Sequence, residues 1–382
     1  MPERHAILSA SSAHRWLRCP PSARINAALP DTPSEAAREG TKAHALAEKA
    51  LTEWLRGKKD APVQVETEDA EMAEAVKQYT AICIEKINAA YKASPDAKVF
   101  VEHELDYSRW VPEGFGTGDM VLISDAALEV VDFKYGKGVK VEAEGNEQMR
   151  LYALGMIDEF GLLYGAKTVR MTIVQPRLDS VETSEMRVQD LIAWIEKKAT
   201  RIHEAWDGSG NREPGEHCRF CKAKATCRAL ADYELRNVKE DLAASELTEG
   251  EIAAIVLRSA SIKRWLTAVE DYALGQALDE GRTYPGLKIV EGRSVRKITQ
   301  PEEAIKALVE AGYPLDEVVK PQEIETLTHL EKRVGKKNLA GIIGDYITRP
   351  KGKPALVSAD DKRPAIETED VKEYFDNSLI KE

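Results

Sequence analysis

Two aspartates and a lysine stand close together in the stretch Gly116 to Gly138, GTGDMVLISDAALEVVDFKYGKG. Met120 to Ile123 and Leu128 to Phe133 are short apolar runs rich in β-branched residues, separated by Ser124, Asp125, Ala126 and Ala127, which is the pattern of a tight β-hairpin. A symmetric loop sets Asp119 opposite Asp132, with Cβ atoms roughly 5 Å apart. Carboxylates that close repel unless a cation lies between them. Strand alternation places Lys134 on the face of Asp132 and turns Phe133 the other way, into a core. Carboxylates with water in the remaining positions suit Mg²⁺, and an added imidazole tilts the preference toward Mn²⁺.

That imidazole has a candidate. In GTKAHALAE, His44 and Glu48 are one turn apart on one helical face. Downstream, Gln148 and Tyr152 share a helical face in the same way. Five cysteines complete the set of reactive side chains. Cys83 sits alone in AVKQYTAICIEKINAAY and reads as a small buried hydrophobe. Cys218, Cys221 and Cys227 crowd into CRFCKAKATC, a metal or cluster site one ligand short, and Cys19 in RWLRCPPS is the remaining sulfur. A structural zinc with His217 or His203 as fourth ligand is the competing reading of that group.

The elements that must position these residues follow from periodicity. Ser9 to Leu17 reads as a short helix stopped at Cys19-Pro20-Pro21, followed by a Pro-rich loop. Ser34 to Leu55 is an amphipathic helix with Ser34 as N-cap, and a second long helix runs from about Glu68 to Tyr91. Val99 to Leu105 alternates as a strand ahead of the hairpin. Glu144 to Phe160 is helical, Thr168 to Gln175 an apolar strand, Ser184 to Val188 another, and Gln189 to Trp206 a helix that leads into the cysteines. The order is helix, three strands, helix, strand.

Length and composition bound these readings. A chain of 382 residues with 31% charged and 43% hydrophobic residues has an ordinary globular composition and can form one large domain or two. No stretch approaches the ~20 apolar residues of a membrane helix, so no membrane partner is expected. The start MPERHAILSASS lacks a hydrophobic signal core, which makes the cytoplasm the expected location. A net charge of −11 argues against bulk electrostatic binding of nucleic acid, while leaving room for a basic channel.

In this order and with these residues, the chain resembles the RecB-like branch of the PD-(D/E)XK nuclease superfamily, which includes CRISPR-associated and AddB-type iron-sulfur nucleases. The resemblance covers roughly residues 5 to 230. GTKAHALAE matches the branch's first motif, Gly118-Asp119 its GxxD element, Asp132-Phe133-Lys134 its (D/E)xK element, and Gln148 with Tyr152 its QxxxY motif. Val131 stands where the family name has proline. The resemblance implies an α/β, restriction-endonuclease-like core: a mixed central sheet flanked by helices. It implies a metal site of His44, Asp119 and Asp132, with Lys134, Gln148 and Tyr152 joining both aspartates in catalysis. It also implies a 4Fe-4S cluster on Cys19, Cys218, Cys221 and Cys227, pinning together the ends of a nuclease domain at residues 1–230. Phosphodiester hydrolysis needs a Mg²⁺ or Mn²⁺ ion to neutralise phosphate charge and to lower the pKa of the attacking water. Lys134 is expected to position that water, since an ammonium beside two aspartates stays protonated.

Residues 231–382 are expected to form a mainly helical region. It would hold an internal helical hairpin within Leu247 to Glu280, a short β-hairpin within Tyr284 to Ile298 and short helices from Pro301 to Ile347. A polar acidic tail ends the chain. Lys288, Arg293, Arg296 and Lys297, the EKRVGKKN segment, and Arg349, Lys351 and Lys353 are basic groups that could track phosphates. The two-part layout resembles a phage- and prophage-borne subfamily, and implies exonuclease action on DNA ends in recombination or repair. Its partners would be DNA and a single-strand annealing or binding protein, with an oligomer as one arrangement. The alternative is a non-catalytic DNA-binding or assembly subunit that keeps the fold.

Overall fold

A computed structural model describes residues 6–31, 34–57, 63–125, 128–239 and 248–289, with isolated positions 335, 338 and 343 beyond. The chain divides into two units, Met1–Glu270 and Asp271–Glu382. The first unit begins with a 3₁₀ turn that runs into a short helix, α1 (Ala13–Trp16), and ends at the Cys19-Pro20-Pro21 stop. The Pro-rich loop expected next is instead a helix, α2 (Ser22–Ala27), with Pro21 as its N-cap residue. A proline that stops one helix has φ already suited to starting another. Helix α3 (Glu35–Leu55) starts where expected, Ser34 Oγ accepting from Ala37 N at 3.2 Å. Helix α4 (Ala70–Ala93) is capped by Asp69, whose carboxylate accepts from Met72 N at 3.0 Å.

Five strands then form one mixed sheet: β1 (Lys98–Asp106), β2 (Phe115–Ile123), β3 (Leu128–Phe133), β4 (Thr168–Gln175) and β5 (Ser180–Arg187), in that spatial order. Only β3 and β4 are parallel, as their connection through α5 (Glu147–Tyr164) requires. Pairing of Met120 with Val131 and Leu122 with Glu129 is the hairpin register expected from the loop. Every residue of β3 is buried, and the sheet is covered on both faces. On one side Val121, Val130, Met171 and Ile173 pack with Met149, Leu151 and Ala153 of α5. On the other, Met120, Val131, Phe133 and Val174 pack with Ala43 and Leu51 of α3 and Val76 and Tyr79 of α4. This is the α/β core anticipated from the sequence, a mixed sheet flanked by helices.

Three further expectations change. Gln189 to Trp206 is not one helix but two, α6 (Val188–Glu196) and α7 (Ala199–Asp207), because Lys198 N turns to the carbonyl of Ile195 at 2.9 Å. The break lets Leu191 and Ile195 bury against α5 and β5 while Ile202 and Ala205 bury against α1 and α2. After the cysteines come α8 (Arg228–Lys239) and α9 (Glu249–Asp279). Helix α9 is one uninterrupted rod of 31 residues where a hairpin was expected. Its sequence contains no proline, and its two glycines, Gly250 and Gly275, stand near the ends, leaving no turn chemistry in the middle. Leu287 to Ile289, read from the sequence as strand-like, is exposed irregular chain. Arg293, Arg296, Lys297, the basic side chains between 332 and 337, Arg349, Lys351, Lys353 and the acidic tail lie outside the described residues. Among the described residues no helix is long and apolar enough to cross a membrane.

Candidate active site

Chain connectivity brings the candidate residues to one end of the sheet. Asp119 lies on β2 and Asp132 on β3, one residue beyond the last ladder pair, Met120 with Val131, so continuing the register sets them opposite each other. Neither is a solvated strand residue: Asp119 is 8% exposed and Asp132 2%. Buried carboxylates need partners, and each has its own. Asp119 Oδ2 accepts from Phe133 N at 2.6 Å, while its Oδ1 lies 3.1 Å from His44 Nδ1, which α3 carries across. Asp132 Oδ1 accepts from Gln148 Nε2 at 3.1 Å. Lys134 Nζ lies 2.9 Å from Asp132 Oδ2, as a charge beside it rather than along a hydrogen-bond direction.

Helix α5 completes this side of the site. Gln148 Oε1 accepts from Lys134 Nζ at 3.0 Å, and Gln148 Nε2 also reaches Tyr152 Oη at 3.1 Å. One amide thus bridges the aspartate, the lysine and the tyrosine, which the one-turn spacing of Gln148 and Tyr152 makes geometrically natural. The tyrosine ring lies flat enough on β2 that a Cβ at Gly116 would stand 2.7 Å from its Cε1, so the strand needs glycine there. Asn146 starts the helix by accepting from Met149 N at 3.1 Å, holding the first turn against the strand ends.

Electrostatics follow from the crowding. Burial lowers the affinity of His44 for a proton, but the hydrogen bond to Asp119 and the charges of Asp119, Asp132 and Glu102 outweigh it, and its pKa rises to about 9. Burial raises the Asp132 carboxyl against the opposing pull of Lys134. Burial also works against charge on Lys134, yet Asp132 and Asp119 hold it above the ordinary lysine value. Lys134 is therefore an ammonium at neutral pH, suited to positioning and charge stabilisation rather than to accepting a proton.

One residue was missed from the sequence. Glu102 of β1 stands in the ladder gap between the pairs Val101–Met120 and His103–Gly118, directly across from Asp119. Its backbone φ is +49°, a left-handed conformation uncommon for glutamate. Burial pushes its carboxyl up to about 7, with Asp119 adding to the rise. Ligand atoms of His44, Glu102 and Asp119 lie within 4.8 Å of one another, and among the described residues no other group of three His, Cys, Asp or Glu does so. Asp132 is thus outside that trio, its carboxylate engaged by Lys134 and Gln148. Glu48, one turn from His44, lines the same pocket. The alternation in VFVEHELD marks a strand, but only the β1–β2 register shows which glutamate faces Asp119.

The cysteines form a second centre. Cys19, Cys218, Cys221 and Cys227 line one cavity together with Arg15 and His217, although some two hundred residues separate the first from the rest. Asn26 Nδ2 donates to Cys221 Sγ at 3.3 Å, and Asn26 Oδ1 accepts from Lys222 N at 2.8 Å, so α2 is sewn to the cysteine loop. Burial, with the neighbouring thiols, pushes Cys218 up to about 11. Such a set of thiols ionises readily only with a metal to take the charge. His217 Nε2 lies 2.8 Å from the carbonyl of Glu213. His203 is exposed on α7 and pairs with Asp207 at 3.2 Å, away from the sulfurs. Cys83 is wholly buried in α4, as expected.

Solved structures similar to the chain include two at 12% identity. One is a "putative exonuclease" from Eubacterium rectale, with a TM-score of 0.30 over 65% of this chain and 92% of that one. The other is SSO0001, with a TM-score of 0.22 over 48% of this chain and 95% of that one. At these scores neither likeness bears on function. A family model matches residues 5–364, and the chain belongs to that family, described as protein of unknown function (DUF2800).

Proposed function

For a member of that family, we propose a metal-dependent deoxyribonuclease of the RecB-like PD-(D/E)XK kind, acting as an exonuclease on DNA ends. The observation that carries the reading is the buried pair Asp119 and Asp132, with an imidazole 3.1 Å from the first and an ammonium 2.9 Å from the second. A cluster of ionisable groups withdrawn from water and shifted by one another is costly as architecture alone, and such clusters gather at reactive sites. His44 and Asp119 offer a nitrogen and an oxygen donor that fit Mg²⁺ or Mn²⁺, with Asp132 on the neighbouring strand. A bound ion would supply polarisation of the phosphate and a more acidic water.

The protein's own groups do the rest. Lys134, held as an ammonium, orients the attacking water and offsets charge developing on the phosphate oxygens. Gln148 fixes the direction of that ammonium and of the Asp132 carboxylate, and Tyr152 fixes Gln148. At the cysteine centre, a four-sulfur donor set favours a soft metal or cluster. A 4Fe-4S cluster on Cys19, Cys218, Cys221 and Cys227 belongs to this reading, with a structural zinc as its alternative. Such a cluster would tie α1 and α2 to the chain after α7. Phage-type recombination or repair, with a single-strand annealing protein as partner, belongs to the same proposal.

The test is incubation of linear and circular DNA with Mg²⁺ or Mn²⁺, beside Asp119→Ala and Lys134→Ala variants. Loss of linear DNA alone, abolished by both substitutions, is expected. Cutting of circles at the same rate would refute exonuclease action. Unimpaired variants would refute the site.

A further inference from the structure

The geometry points to Glu102 as a protein ligand of the divalent cation, so that the ion is held by His44, Glu102 and Asp119 on the β1 side of the site. This rests on the reading of the site as a cation site and extends it by a residue and a position. His44 Nδ1 lies 3.1 Å from Asp119 Oδ1 and 4.0 Å from Glu102 Oε1. An octahedral ion with bonds of ~2.1 Å sets neighbouring ligand atoms ~3.0 Å apart and opposite ones ~4.2 Å apart. The observed separations fall on and between those two edges. One nitrogen and two carboxylates suit Mn²⁺ better than Mg²⁺.

Two independent features support the assignment. Glu102 holds a φ of +49° between two regular ladder pairs, Val101–Met120 and His103–Gly118, and this conformation is costly for a residue with a Cβ. The strand keeps its register with no residue inserted, yet Phe100 and His103, three residues apart, bring their rings to 4.6 Å on one side of the sheet, so the distortion swaps the strand's faces at Glu102 and leaves its carboxylate beside His44. Tyr79, wholly buried, lines the same pocket, and its hydroxyl lacks a directed hydrogen bond. The Cys83 thiol beside it is a weak partner. Such a hydroxyl in a pocket shared with an imidazole and two carboxylates is suited to a water carried by the ion. Asp132 is left to Lys134 and Gln148, which separates the residues that hold the ion from those that position the nucleophile.

The experiment is Mn²⁺ binding by the full chain, followed by calorimetry and by the electron paramagnetic resonance of the free ion. Glu102→Gln keeps the shape and is expected to weaken Mn²⁺ binding at least tenfold. Glu102→Gly suits the positive φ, so it is expected to melt higher than the wild-type chain without metal and still to bind Mn²⁺ at least tenfold less well. Glu159→Gln, on the far side of His103, leaves binding unchanged. Wild-type Mn²⁺ affinity in both Glu102 variants would overturn the assignment even if DNA is cleaved. Weakened binding in both variants, from a wild-type chain that cleaves no DNA, would uphold the ligand while sinking the nuclease reading.

Discussion

Replacing Lys134 with methionine removes an ammonium but keeps most of the aliphatic stem. Asp132 is 2% exposed, so the substitution leaves a buried carboxylate without its cation. Removing one member of a buried ion pair costs about 3–5 kcal/mol. Two features reduce that here. The Lys134 side chain keeps 27% exposure, so water can reach the vacated position, and Gln148 Nε2 still donates to Asp132 at 3.1 Å. The expected loss is about 2–3 kcal/mol near neutral pH.

Without the lysine, the main pull opposing burial is gone and the folded-state pKa of Asp132 lies further above its unfolded value. A carboxyl raised in this way binds more protons folded than unfolded. The variant's deficit should therefore be small below the unfolded pKa of about 3.9 and grow as pH rises through the folded value. The double variant Asp132→Asn/Lys134→Met removes both charges, and its loss should be at least ~1 kcal/mol smaller than the sum of the two single losses. Urea unfolding at several pH values, with unchanged m-values as the check on comparability, measures all of this. Additive losses that do not vary with pH would refute the account of Asp132 and Lys134 as a coupled buried pair. DNA cleavage should be lost in all three variants, whatever their stability.

Two further outcomes follow from the electrostatics and the cysteines. In chelator-treated protein, His44 is raised to about 9 from 6.5, so its stabilising contribution is present below 6.5 and is lost as pH rises through 9; Glu102, raised to about 7 from 4.5, loses stability over the lower window. The metal-free melting temperature should thus fall steadily from pH 5 to pH 9, His44→Gln should flatten the upper part, and a flat wild-type profile would contradict the crowding. Protein prepared without oxygen should be brown, with broad visible absorption and iron matched by acid-labile sulfide, and Cys19→Ser should bleach it and lower its melting temperature. A colourless protein carrying one zinc per chain would sink the cluster.

Much of this protein was legible from the sequence because the governing interactions are local. Periodicity located α3, α4, α5 and β4, and Ser34 marked the start of α3, since a capping side chain needs only the backbone three residues on. The four-residue loop was enough to set the register of β2 against β3, from Ile123–Leu128 to Met120–Val131, because a short hairpin leaves few registers. One-turn spacing put Gln148 and Tyr152 on one face, and Phe133 turned to the core by alternation. Tertiary structure decided what depended on distant chain segments. The β1–β2 connection is too long to dictate its register, so only the folded sheet shows that Glu102, not Glu104, faces Asp119. Only packing shows that Asp132 is buried with Lys134 and Gln148 as partners, since period-2 alternation cannot tell a strand covered on both faces by α3, α4 and α5 from one open to water. The joining of Cys19 to the three later cysteines depends on α1, α2 and α7 meeting in space, a contact across two hundred residues that no local pattern encodes.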